Sequence, residues 1–231
     1  MKARRVKRLD PGASLQEGSA RIIALRLAEV RSFIPAALDP RNSKAQHDMR
    51  IAAKRLRYVL EATDFCFGKP AETAGRRARE LQALLGELYD CDVMLPMVSE
   101  HGSDLRAADA AAIRARAGDT PRLDPRLAAR ARHRTAYRGL DVLSVYLQAR
   151  RELVFDRFTA FWAQQEQVGT WDRLERAVTR KIDEARERRR AAERIEKARR
   201  ELEEAERKER AAAQRAWRAA AQLEAVARDG N

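Results

Sequence analysis

The sequence predicts an all-α protein: an antiparallel helical bundle followed by a long charged helix. Three observations carry this. Gly (10) and Pro (7) are scarce among 231 residues. No run of alternating β-branched residues appears. Apolar residues instead recur at helical spacing through most of the chain.

The elements follow in order. Residues 1–13 read as a basic, loose lead-in. Ser14 with Glu17 fits a capping box and opens a helix with Leu15, Ile22, Ile23, Leu27, Val30 and Ile34 on one stripe, ended by Pro35. Asp39-Pro40 fits an N-cap followed by Pro at the first helical position, which predicts a second helix from about 40 to 66. Gly68-Lys69-Pro70 is a tight break. A third helix is expected over about 71–95, with Leu81, Leu84, Leu85 and Leu88 toward its buried side. Gly86 in its middle costs about 1 kcal/mol against Ala, and close approach of a neighbouring helix is the expected compensation. Pro96 ends or kinks this helix. A short Ala-rich helix over 99–117, a loop over 118–125 and a long helix over 126–166 follow, the last with Leu140, Leu143, Leu147, Phe155, Phe158, Phe161 and Trp162 on its apolar side. Gly169 breaks the pattern. From 171 the chain is dense in both charges with almost no apolar stripe. Acid-first pairs such as Glu196/Arg200 and Glu206/Arg210 support an exposed helix to about 228. The expected division is therefore a lead-in over 1–13, a bundle over 14–170 and an extended charged helix over 171–231.

Charge bounds the partners. Lys and Arg exceed Asp and Glu by 13. Such an excess points to nucleic acid, another polyphosphate or an acidic membrane surface. The basic N-terminus has no apolar continuation of the signal-peptide kind, and no stretch approaches the ~20 apolar residues of a membrane span. A cytoplasmic protein is expected. Cys66 and Cys91 lack ligand-spaced His, so they read as reduced, packed residues rather than a metal site.

The most informative stretch is His47–Glu61, HDMRIAAKRLRYVLE. His47, Arg50, Lys54, Arg57 and Glu61 share one helix face. Met49, Ala52, Ala53, Leu56, Val59 and Leu60 share the opposite one. A core-bound helix that lines up three cations suggests a polyanion site. The alternative is an ordinary solvated face.

HDMRIAAKRLRYVLE resembles the first motif of the CHAD family, an α-helical domain named after a histidine in that motif. RARELQALLGELYDCDVML, 77–95, is similar to the family's second motif, with Leu85-Gly86 and Asp90–Asp92 in the places of its Leu-Gly pair and Asp-x-Asp. Where the family often has Arg before the first Asp, this chain has Tyr89. GLDVLSVYLQARRELVFDRFTAFW, 139–162, looks like the family's long basic-aromatic helix. The resemblance spans about 1–170. It implies a helical bundle that binds inorganic polyphosphate through basic side chains around a groove, and some members collect on polyphosphate granules. It assigns His47, Arg50, Lys54, Arg55 and Arg57 to the site, then Arg79, and with less support Arg134, Arg138, Arg150 and Arg151. Arg55 points to the flank of the stripe, where it reaches the site or pairs with Asp90 or Asp92. Many members carry two copies of the His–Arg motif. This chain has one, so either one chain closes the groove or a second chain, in a homodimer, completes it.

Asp90 and Asp92 lie too far around one helix to hold a single ion. No nucleophile constellation, Gly-rich phosphate loop, cofactor motif or metal pattern appears. A binding protein is therefore favoured over an enzyme, and the resemblance implies that what it binds, without catalysis, is inorganic polyphosphate. Two other readings remain: a nucleic-acid-binding or nucleoid-associated protein, with nucleic acid the weaker competitor, and a polyphosphate or triphosphate hydrolase.

Overall fold

The first helix, α1 (Leu15–Ser32), starts where its capping pattern predicts, with the Ser14 Oγ accepting from the Glu17 N–H at 3.2 Å. This computed structural model describes residues 3–6, 9, 10, 12–119 and 122–229, the stretch 219–229 by its backbone alone. Residues 1, 2, 7, 8 and 11 of the expected lead-in, and Thr120 and Pro121 of the expected loop, lie outside the described residues. Among the described residues every regular element is helical, as the sequence predicts.

α1 is joined through a short turn, α2 (Ile34–Ala37), to α3 (Ser43–Thr63). Two expectations are corrected here. Pro35 sits in the first turn of α2, where its missing N–H is not needed, rather than ending α1. The N-cap of α3 is Asn42, whose side-chain oxygen accepts from the Ala45 N–H at 3.0 Å, while Asp39 caps only the turn before it. A 3₁₀ turn (Asp64–Cys66) and Gly68, at φ 66°, then reverse the chain into α4 (Lys69–Ala117).

α4 is one helix of 49 residues, where the sequence predicts two. Pro96 lies inside it. An interior proline costs about 3 kcal/mol. Packing on both sides of the proline holds the helix through it. Before it, Arg151 bonds Asp92 at 2.5 Å. Beyond it, Gly102 lies against Leu140 and Arg106 pairs with Asp141.

The helix expected over 126–166 is also different. Only a single turn, α5 (Arg126–Ala129), precedes α6 (Arg134–Gln167). The cause is Asp109, buried on α4. Its carboxylate accepts from the His133 N–H at 3.0 Å and lies 2.9 Å from His133 Nδ1, which fixes the start of α6. Gly169, at φ 63°, then turns the chain into α7 (Thr170–Asp229).

The chain divides into two compact units, Met1–Lys181 and Ile182–Asn231. In the first, α3 packs between α1 and α4, and α4 packs between α3 and α6. Ile23, Leu27, Met49, Leu56, Leu60, Leu81, Leu85, Leu88 and Phe158 are excluded from water. Each such side chain contributes about 1.5–3 kcal/mol. Trp171, Leu174 and Val178, at the start of α7, are equally buried, and Trp171 stacks on Trp162 at 5.8 Å. Arg31 of α1 pairs with Asp172 and Glu175. Glu29, fully buried, accepts from the Arg4 N–H and from Arg26, each at 2.6 Å, so the lead-in is tied to α1 at Arg4.

In the second unit, Arg200 pairs with Glu196 at 3.2 Å and Arg210 with Glu206 at 3.6 Å, as spaced. Lys197 reaches Glu201 and Arg199 reaches Glu203. Ile195, Leu202 and Trp217 are exposed. Both cysteines are free thiols. Cys91 is buried, and desolvation pushes its pKa up.

Candidate anion-binding face

The aliphatic stripe of α3 faces the core as predicted: Met49, Ala52, Ala53, Leu56 and Leu60 are inaccessible to water. The basic stripe therefore stands at the surface, beside α4. The face of α4 that meets it carries Arg79, Gln82, Gly86 and Tyr89, spaced at helical intervals.

The His47 ring lies 4.5 Å from the Tyr89 ring. Arg50 lies over the same ring at 5.4 Å and passes above Gly86. Buried side-chain nitrogens on both, His47 Nδ1 and Arg50 Nε, find no hydrogen-bond partner. A buried polar atom of this kind costs roughly 1–3 kcal/mol unless an acceptor arrives. Lys54 is exposed, 5.6 Å from the Tyr58 ring. Among the described residues neither Arg50 nor Lys54 is paired with a carboxylate.

The rest of the stripe is partly neutralised. Arg57 bonds Gln82 Oε1 at 2.9 Å and Glu61 at 3.1 Å, and its guanidinium covers Tyr58. Arg79 bonds the same Glu61 oxygen at 2.6 Å. The Arg79 hydrogen bond, aided by Arg57, holds the Glu61 carboxyl below the usual carboxylate range.

From α6, Arg151 bonds Asp92 at 2.5 Å and the Gln46 oxygen at 3.2 Å. Gln46 is buried and donates to the Asp39 carbonyl at 2.9 Å, which turns its oxygen toward Arg151. Arg150 bonds Tyr146 Oη and Glu87, each at 3.1 Å. The Tyr146 hydrogen bond, then Glu87, raises its pKa further.

The ten sequence-predicted site residues thus fall into three groups. His47, Arg50, Lys54, Arg57 and Arg79 gather along the α3–α4 seam. Arg150 and Arg151 meet the same stretch of α4 through Glu87 and Asp92, and Arg55 is half-buried on the flank of α3. Asp92, one of two partners expected for Arg55, is held by Arg151. Arg134 and Arg138 are not brought to the seam. The start of α6 packs near Gly102 and Asp109 of α4, and Gly102 is about 24 Å from Gly86 at the helical rise. Arg134 bonds the Ala129 carbonyl. Tyr58, Tyr89, Tyr146 and Gln82 belong to the face although the sequence reading did not assign them. The signal for Gln82 and Tyr89 was their spacing from Gly86.

Among the described residues no cluster of three or more His, Cys, Asp or Glu side chains is placed to hold a metal ion, and no helix is long and apolar enough to cross a membrane. No curated protein and no solved structure matches the chain. A family model described as CHAD domain matches residues 2–99, the segment that holds α1, α3, the first part of α4 and the whole basic seam between them. By that match, residues 2–99 are similar to the CHAD domain family.

Proposed function

We propose that this protein binds inorganic polyphosphate without catalysis, along the α3–α4 seam. His47, Arg50, Lys54 and Arg57 make the contacts, and Arg79, Arg150 and Arg151 form the rim. The observation that carries the reading is the pair Arg50 and Lys54: adjacent cations on a rigid helix, without a carboxylate among the described residues, beside a buried Nε lacking an acceptor. Arg presents a planar fork to phosphate, and Lys acts as a point charge. The CHAD match over the seam agrees with this assignment. Polyphosphate carries a charge on every unit and no base, so a row of cations suffices to hold it.

One observation favours a second reading. Tyr58 and Tyr146 are 51% and 55% exposed beside cations, and Tyr89 is 36% exposed. Single-strand nucleic-acid binders use such rings as stacking platforms. Competition separates the two. Polyphosphate is expected to displace a labelled single strand at low excess, while the strand barely displaces labelled polyphosphate. The reverse order would assign the seam to nucleic acid. Phosphate release with magnesium or manganese would instead make the protein a hydrolase.

A further inference from the structure

We propose that the outer face of α6 is a self-association surface on which a second copy of this chain docks antiparallel, about a two-fold axis at Ala149. The core-facing row of α6 runs through Leu147, Val154, Phe158 and Trp162, all buried. On the opposite side Val142 and Val145 are each 70% exposed and Leu153 is 61% exposed. With Ala149 these stand at i, i+3, i+7 and i+11, an apolar row of helical period on a helix already supplied with a core. Scattered exposed apolar residues need no explanation, but a row in register does. The row borders the groove between α4 and α6, where Leu84, Phe161 and Leu153 alternate with Glu80, Glu87, Arg150 and Arg157. A second helix laid on the row has that groove as its flank.

Charge selects the occupant and its direction. Arg138, Asp156 and Arg157 border the row and have no ion-pair partner among the described residues. With Ala149 on the axis, Val145 of one copy faces Leu153 of the other. Arg157 faces Asp141, which already holds Arg106. Arg138 faces Ala160, about one helical turn from Asp156, which itself faces Val142. A parallel arrangement would set each of these charges against its own twin. The surface is therefore self-complementary in one orientation, as a two-fold interface requires. Ala149, the smallest residue of the row, lets the helices approach at the axis. The inference does not rest on the polyphosphate reading, although the flanking groove shares Glu87, Tyr146 and Arg150 with the rim of that site.

Sedimentation of the full chain over a concentration series tests it, with helicity followed by circular dichroism. The parent is expected at twice the chain mass. Val145→Glu/Leu153→Glu is expected at the single mass with unchanged helicity, since both positions are exposed. Asp156→Arg is expected to weaken the dimer at least tenfold, and Arg138→Asp/Asp156→Arg to restore it. In a Cys66→Ser background, Ala149→Cys is expected to form a disulfide-linked dimer on oxidation, whereas Ala136→Cys, far from the axis, does not. A parent at the single mass at every concentration overturns the proposal. So does a dimer that survives Val145→Glu/Leu153→Glu and fails to cross-link at position 149.

Discussion

Arg50 Nε lies 3.5 Å from the point where a β-carbon on Gly86 would stand. The glycine in the middle of α4 is thus roofed by a guanidinium, rather than by the closely approaching helix that its sequence position suggested. Its position lets Arg50 lie flat across α4 toward Tyr89. A single methyl group fits at ordinary contact distance. Gly86→Ala is expected to stabilise the fold by about 0.5–1 kcal/mol through helix propensity, with polyphosphate affinity changed less than about twofold. Gly86→Val carries branches into the guanidinium and is expected to lower affinity about tenfold. Thermal unfolding and titration check both. Equal binding by the two variants would dissociate Gly86 from the placement of Arg50.

Glu61 restrains two cations of the seam, Arg57 and Arg79. Its folded pKa is depressed, so the stability it contributes is complete above its unfolded pKa and is lost as pH falls through the folded value. Binding moves the opposite way, because protonation frees Arg57 and Arg79 for phosphate. Glu61→Gln is expected to tighten polyphosphate binding about three- to tenfold at low salt and neutral pH, and to remove the strengthening that the parent shows on acidification. A pH series of titrations on both proteins checks this. Unchanged affinity in Glu61→Gln would place Arg57 and Arg79 off the site.

The start of α7 belongs to the first unit by burial. Leu174 and Val178 are inaccessible to water, and Trp171 is 1% exposed. A chain ending at Lys181 is expected to fold cooperatively. A chain ending at Asp172 loses Leu174 and Val178, about 1.5–3 kcal/mol each, together with the Arg31–Glu175 pair, and is expected to unfold at markedly lower denaturant. Equal midpoints for the two truncations would contradict this.

The fold class was legible because helical periodicity is local. The same holds for the α1 cap, the Gly68 and Gly169 turns and the opposed stripes of α3. What could not be read depended on partners distant in sequence. Pro96 looks like a helix end until α6 is seen packed on both sides of it. The start of α6 is fixed by Asp109, 24 residues before His133. Trp171 and Leu174 sit in a charge-rich segment whose composition hides that its first turns are core. At the site, the row Arg50, Lys54 and Arg57 followed from spacing alone. Which of those cations are already neutralised did not, because Glu61 also answers to Arg79 from another helix, and Asp92 to Arg151. The tyrosines of the face were not legible either, because helical spacing marks the rings that meet the core, such as Phe158 and Trp162, and not which of the remaining rings stand beside cations, as Tyr58, Tyr89 and Tyr146 do.

The most direct test of the account is a titration of long-chain polyphosphate against Arg50→Ala/Lys54→Ala across a salt series, beside the parent and a charge-matched control, Arg114→Ala/Arg116→Ala, at the exposed far end of α4. The account predicts affinity at least tenfold lower in the first variant at low salt, with the control unchanged. The slope of log affinity against log salt should shrink by about 1.4, roughly 0.7 for each lost phosphate contact by analogy with single-stranded nucleic acid. Parent-like affinity and slope in Arg50→Ala/Lys54→Ala, or an equal loss in the control, would contradict the assignment of the α3–α4 seam as the polyphosphate site.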